Sequence, residues 1–190
     1  MIGTRQRTIH PVDYFHMTDL LPLILIGAAL IILVVASAID LKYWILPDEL
    51  NFALGVTGIA FHVLTGYQFV SPIQMAAGAL VGAGMLFVIR YFSNRHYGRD
   101  TLGLGDVKLL GAAGLWLGLD QTLIAITIGA AAGLLHGILY ALWLRARYAR
   151  PFTVADLSIP AGPGFAVGIV AAGWLLLGDF ALQADRKSVV

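Results

Sequence analysis

The first long uncharged stretch of the chain, LLPLILIGAALIILVVASAI at residues 20–39, decides the fold class, and Asp40 ends it. A transmembrane helix needs roughly 20 mostly apolar residues to cross about 30 Å of hydrocarbon, and this stretch has that length. The rest of the chain agrees, since 59% of its 190 residues are hydrophobic and 12% are charged. With a mean hydropathy of +0.83, the sequence predicts an all-α membrane protein.

Further apolar runs predict a bundle of about six transmembrane helices. Four of them are clear and lie at residues 50–70, 72–89, 122–144 and 159–178. The fourth run in chain order is short, because its uncharged residues extend only from 109 to 119. To span the membrane it must begin near Leu102 and carry Asp106 and Lys108 inside the bilayer. Glycines four residues apart, such as Gly78 and Gly82, predict close contact between helices.

The six runs leave no room for a soluble domain beside the membrane domain. We expect one integral-membrane domain over residues 1–190, with a polar tail over about 1–19, the bundle over about 20–180 and a short C-terminal tail. Residues 1–19 are polar and lack the features of a cleaved secretory signal, so we expect the first apolar run to remain as an anchor.

Charge indicates partners and orientation. The formal net charge of +1 is too small to indicate nucleic-acid binding, whereas the apolar runs predict contact with the lipid bilayer. Basic residues are concentrated after the first, third and fifth runs, and both tails also contain a few. Those in or beside the loops are Lys42, Arg90, Arg95, Arg99, Arg145, Arg147 and Arg150. Because cytoplasmic loops are rich in Lys and Arg, these loops are predicted to be cytoplasmic and both termini to lie on the opposite side.

The absence of cysteine limits the possible chemistry. Without it the chain has no disulfide, thiol nucleophile or cysteine-ligated metal. No residue pattern predicts a metal site or another cofactor. His62 and His136 lie mid-span, and interhelical hydrogen bonding is favoured for them over a metal-binding or proton-relay role.

Two carboxylates are predicted at the same margin of the membrane. Asp40 ends the first run and Asp106 begins the fourth, and the predicted topology puts both at the cytoplasmic boundary. An ionisable residue within a span costs about 2.5–3.5 kcal/mol on insertion scales and usually marks a function. Peptide hydrolysis by such a pair needs one ionised Asp to take a proton from water and one protonated Asp to polarise the carbonyl.

Simpler explanations exist for each aspartate. Asp106 follows Gly103 and Gly105, which permit close approach of another backbone, but an Asp there also suits a helix N-cap. Asp40 with Lys42 would also be an ordinary charge pair at the headgroup level. Two functions from other classes stay open, a small proton- or ion-coupled transporter and a structural subunit of a secretion machine.

Three other charged residues lie beside the aspartates. Asp48 and Glu49 precede the second run, where acidic residues favour a helix start. Lys108 has three open roles: neutralising Asp106, reaching the interface or contacting a substrate.

Three motifs together resemble the prepilin peptidase family, the Gly-x-Gly-Asp membrane aspartyl peptidases. The most specific is DTLGLGDVKLL at residues 100–110, followed by Gly114 and by WLG at 116–118. Asp40 with the LPD of residues 46–48 is similar to the first catalytic motif, and IPAGP at 159–163 is similar to a Pro-Phe-Gly-Pro signature.

The resemblance implies an aspartic endopeptidase of the bacterial inner membrane, with Asp40 and Asp106 as catalytic residues. Its substrates would be type IV prepilin-like precursors, including pseudopilins and tight-adherence pilins, whose basic leader is cut off at the cytoplasmic face. Asp48, Glu49 and Asp100 would help to hold that leader. Larger members carry a zinc-binding cysteine segment associated with N-methylation, so a chain without cysteine puts methyltransferase activity in doubt. The resemblance does not predict the oligomeric state.

Overall fold

The structure, a computed structural model, describes residues 17–98, 100, 102–148 and 160–188. Within those residues the chain forms five helices and no strand. They are α1 (Met17–Tyr43), α2 (Asp48–Leu64), α3 (Pro72–Tyr97), α4 (Leu104–Tyr148) and α5 (Gly162–Ser188). The predicted all-α fold class is confirmed.

The helices have the length and surface of a membrane protein. Three of those described, α1, α3 and α4, are long and apolar enough to cross a bilayer, and residues 162–178 of α5 form a shorter apolar helix. Large apolar side chains are exposed along them, for example Ile31 at 65% and Leu80 at 74%. A soluble protein rarely exposes so continuous an apolar surface, whereas lipid solvates it. The chain is therefore a multi-pass membrane protein.

The helix count differs from the prediction, because the described residues contain five helices instead of six. The predicted fourth and fifth spans both lie in α4, which has 45 residues. Gly118 interrupts this helix with φ 71° and ψ −176°. A β-carbon added at Gly82 of α3 would contact both the carbonyl of Leu110 and the side chain of Thr122. In a straight helix, Leu110 and Thr122 would be about 18 Å apart along the axis.

Helix α4 therefore folds back at Gly118. We call residues 104–117 its first arm and residues 119–148 its second arm. A 45-residue straight helix would be about 68 Å long, more than twice the hydrocarbon thickness, so the reversal lets both arms lie within one bilayer.

Close backbone contacts hold α3 against α4. A β-carbon added at Gly78 would lie 2.6 Å from the carbonyl oxygen of Gly114, so these helices touch through their main chains. Helices α2 and α4 are joined by His62, whose Nε2 lies 2.9 Å from the carbonyl oxygen of Trp116. The predicted glycine contacts of α3 and the predicted interhelical hydrogen bond of His62 are confirmed.

Parts of both chain ends and of the last loop lie outside the described residues. Residues 1–16 of the predicted N-terminal tail lie outside them, as do residues 189–190. Helix α5 extends to Ser188, beyond the predicted end of the bundle near residue 180. Arg99 and Arg150, two of the residues used to predict orientation, also lie outside the described part.

Candidate active site

Asp40 lies near the end of α1, with 6% of its surface exposed. The N–H of Trp44 still donates a helical bond to the carbonyl oxygen of Asp40 at 2.9 Å, and the helix ends there because Trp44 turns left-handed with φ 59°. The side chain has a partner from a distant helix. The backbone N–H of Gly162, the first residue of α5, donates to Oδ2 of Asp40 at 2.9 Å.

Gly162 leaves no space for a side chain beside Asp40. A β-carbon at this position would lie 2.7 Å from Oδ2 and 3.2 Å from the carboxyl carbon of Asp40. Gly162 is thus a site residue that sequence reasoning missed. The available signal was its place in the IPAGP stretch at residues 159–163, which predicted a family motif without predicting what it touches.

Asp106 is the third residue of α4 and is also 6% exposed. Its carboxylate accepts a hydrogen bond from the backbone N–H of Gly103, the residue before the helix. The other oxygen, Oδ1, is buried without a hydrogen-bond partner among the described residues. The capping alternative is thus partly correct, because Asp106 reaches back to the helix start as in a capping box. One oxygen is left free for a ligand or water.

The two aspartates lie at the same end of the bundle and interact. The charge of Asp40 acts on Asp106, and so does the positive charge of Arg90. Buried carboxylates are rare, and two that interact at one site are typical of places where a proton is shared. Among the described residues, this pair is the arrangement best suited to acid–base chemistry.

Arg90 is the second site residue that sequence reasoning missed, since it was used there only as one of the basic residues that predict orientation. Its guanidinium donates to the carbonyl of Leu102 and, at 2.9 Å, to Oδ1 of Asp100. Asn94 donates to the same carboxylate oxygen at 2.8 Å. These bonds from α3 fasten the segment that leads into Gly103 and Asp106.

The two predicted motifs pack directly on each other. A β-carbon added at Gly105 would lie 2.7 Å from Cβ of Leu46, so the absence of a side chain at Gly105 lets the connection between α1 and α2 lie against the start of α4. Asn51, 4% exposed, donates through Nδ2 to the carbonyl oxygen of Gly105 at 3.3 Å. Its Oδ1 is buried without a partner among the described residues. Asn51 was not predicted as a site residue.

The remaining predicted site residues lie at the exposed rim. Lys108 donates to Oδ2 of Asp48 at 2.6 Å, with 44% and 67% of the two side chains exposed. Asp100 is 78% exposed while paired with Arg90. Glu49 is exposed in the first turn of α2, where an acidic residue suits the helix start. Lys108 is thus paired with Asp48, a partner that is not among the three roles left open by the sequence.

Comparison with known proteins identifies the group to which this chain belongs. A family model described as the type IV leader peptidase family matches residues 27–138, a range that includes Asp40 and Asp106. Relatives named prepilin leader peptidase/N-methyltransferase from Aeromonas hydrophila, Xanthomonas campestris pv. campestris and Pectobacterium carotovorum are 33%, 33% and 32% identical over 146, 144 and 151 residues.

The alignments cover 77%, 76% and 78% of this chain but 46%, 46% and 51% of the relatives, so the chain spans about half the length of the curated relatives it matches. No solved structure matches it significantly. The family match covers more than half of the chain, begins within α1, ends within the second arm of α4 and includes both buried aspartates. The chain therefore belongs to the type IV leader peptidase family.

Proposed function

We propose that this protein is an intramembrane aspartic endopeptidase that removes the basic leader from type IV prepilin-like precursors. The observation that carries the proposal is the interacting pair of buried carboxylates, Asp40 and Asp106, at one end of the bundle. Family membership supports prepilin-like substrates, and pseudopilins and tight-adherence pilins belong to the same chemical class.

The reaction follows from the pair. The ionised carboxylate takes a proton from a water molecule, and the resulting hydroxide attacks the carbonyl carbon of the scissile bond. The protonated carboxyl donates its proton to the carbonyl oxygen, which gives a tetrahedral intermediate. When the C–N bond breaks, the amine takes up the proton that the first carboxylate gained from water. A hydroxyl of the intermediate gives its proton to the second carboxylate, so the pair returns to its starting state. The unpaired Oδ1 of Asp106 is the atom best placed to hold the water.

The neighbouring groups have supporting roles in this scheme. Gly162 and Gly103 hold one oxygen of each aspartate, which fixes the direction of the other oxygen. The exposed acidic side chains of Asp48, Glu49 and Asp100 provide a negative rim for a basic leader. Asp48 and Asp100 already neutralise Lys108 and Arg90, so Glu49 contributes the least compensated charge.

We also propose that the site faces the cytoplasm of a bacterial inner membrane. Basic residues occupy the last turns of the helices that end on the side of Asp40: Lys42 in α1, Arg95 in α3, and Arg145 and Arg147 in α4. Cytoplasmic ends carry such an excess of Lys and Arg. A leader that stays in the cytoplasm would then meet the site at the membrane boundary.

The test is cleavage of a co-expressed candidate prepilin, followed as a shift on a gel. Wild type, Asp40→Asn and Asp106→Asn are compared, with membrane levels measured by immunoblotting. We expect both variants to abolish processing while accumulating normally, because each removes one member of the proton-sharing pair. Thr57→Ala is the matched control, since its hydroxyl bonds only within α2.

If either Asn variant processes the leader at near the wild-type rate, the aspartyl mechanism is wrong. The transporter and structural alternatives would then gain support, because a structural subunit tolerates both replacements.

A further inference from the structure

An apolar groove of about 940 Å³ runs along the outer surface between α1 and α5. Its α1 wall includes Leu33, Ser37 and Leu41, and its α5 wall includes Pro163, Val167 and Trp174. Every described residue that lines it is uncharged. The groove opens sideways into the region that lipid would occupy.

One end of the groove lies next to Asp40, because Leu41 and Pro163, which line that end, directly follow Asp40 and Gly162 in the chain. Leu33, Ser37 and Asp40 follow one another at spacings of four and three, so they form one stripe along α1. On the other wall, Pro163 directly follows Gly162, whose N–H binds Asp40. The groove therefore ends beside the candidate active site.

The dimensions of the groove suit a helix. From Leu30 to Leu41 its α1 wall is about 17 Å long, or three helical turns. Small side chains at Ser37, Ala38 and Ala166 leave room for another backbone to approach, as at the contacts between membrane helices. Val34 and Val167 on opposite walls are 68% and 55% exposed, so both present apolar surface to an incoming segment.

We infer that this groove holds the apolar transmembrane segment of the substrate as a helix, directing the peptide bond at the end of that helix to Asp40. This inference rests on the proposed function and names where the substrate docks. The continuity with Asp40 distinguishes the groove from the rest of the lipid-facing surface: a helix lying in it must end beside the carboxylate. A lipid chain or a second copy of this protein are the competing occupants.

Cysteine cross-linking tests the docking directly, because the chain contains no cysteine and a single introduced one is unique. Val167→Cys is placed in an Asp106→Asn background, so that the substrate stays uncut, and is oxidised with a prepilin carrying one cysteine in its apolar segment. Leu80→Cys on α3, 74% exposed, is the control on a lipid-facing surface away from the groove. We expect a disulfide-linked complex with Val167→Cys and none with Leu80→Cys.

Two cross-linking outcomes would overturn the inference. The first is equal yield from both cysteines, which would indicate random collision in the membrane. The second is a disulfide between two copies of the Val167→Cys chain in place of the prepilin adduct, which would indicate that the groove is a dimer interface.

A second pair of variants measures the effect on cleavage. Val167→Trp fills the groove with a large apolar side chain, and Leu80→Trp adds the same side chain elsewhere. Overpacking an apolar contact is expected to lower kcat/KM for the prepilin by about tenfold, while Leu80→Trp stays near wild type.

The two proposals fail in different ways. If the wild type does not cut any prepilin, the proposed function is wrong. If wild type, Leu80→Trp and Val167→Trp all cut equally well, the function stands and the groove does not hold the substrate. Unchanged cleavage with loss of a co-purifying lipid from Val167→Trp would also overturn the inference, in favour of a lipid site.

Discussion

The backbone N–H of Gly162 donates a hydrogen bond of 2.9 Å to Oδ2 of Asp40, although the two residues are 122 positions apart in the chain. This contact joins the start of α5 to the end of α1 at the buried carboxylate. It fixes one oxygen of Asp40 beside the start of α5. The position of Gly162 therefore sets the orientation of a proposed catalytic group.

Gly162→Ala is expected to lower prepilin cleavage by about a hundredfold. The added methyl carbon would lie 2.7 Å from Oδ2, so either α5 or the carboxylate must move, and a displacement of about 1 Å at a reacting group can cost that much. The measurement is the cleavage rate at matched membrane levels. Gly84→Ala is the control, because a β-carbon there meets no atom within 4 Å. Equal rates for the two variants would contradict the positioning role.

The main elements of this fold follow from the sequence because apolar runs of helical length carry the information. The runs at 20–39 and 72–89 lie within α1 and α3, and Asp40 and Asp106 stood out because charge is expensive inside a span. The short length of the fourth run indicated irregular structure in this part of the chain. It ends near Gly118, where α4 folds back.

Contacts between segments far apart in the chain could not be predicted from the sequence. Nothing in the local pattern indicates that Gly162 touches Asp40, that Arg90 fastens Leu102 or that Asn51 binds the Gly105 carbonyl. Each depends on how helices pack, and a lone Asn or Arg near a span end is consistent with many ordinary roles. The structure adds the information about which distant segments contact each other.

Asn51→Ala is expected to lower kcat about tenfold with little change in KM. Its Nδ2 holds the Gly105 carbonyl, and losing that bond frees the backbone beside Asp106. Steady-state cleavage of a purified prepilin separates kcat from KM. Thr57→Ala on the same helix removes only bonds local to α2.

A thermal unfolding scan in detergent accompanies the kinetics. If Asn51→Ala lowers the Tm while kcat stays at the wild-type value, Asn51 supports the fold alone and the positioning role is contradicted.

The ion pair of Lys108 and Asp48 is expected to contribute about 0–1 kcal/mol to the free energy of unfolding. Its N–O distance is 2.6 Å, but both side chains are well exposed, so water and salt screen the attraction. Lys108→Met should therefore change stability little, and the change should shrink further at high salt. Denaturation in detergent at low and high ionic strength measures it.

The charge-swapped double variant Asp48→Lys with Lys108→Asp asks whether these residues also contact the leader. Restored stability with poor cleavage would mean that at least one of them acts on the substrate. Restored stability with restored cleavage would mean that only the pair matters, and Asp48 would then have no separate role in holding a basic leader.

Gly118→Ala is expected to destabilise the protein by about 1–3 kcal/mol, because it opposes the reversal of α4. A φ of 71° with ψ of −176° belongs to a region that residues with a β-carbon rarely adopt. The new carbon would also lie 2.8 Å from Cγ1 of Val70. The measurement is the unfolding midpoint in detergent, compared with Gly84→Ala, where a helical glycine has free space and alanine should stabilise the helix by up to about 1 kcal/mol.

Since Gly118 lies at the end of the first arm away from Asp106, kcat of the folded fraction should change less than in Gly162→Ala. An unfolding midpoint for Gly118→Ala equal to that of Gly84→Ala would mean that the reversal does not depend on the glycine.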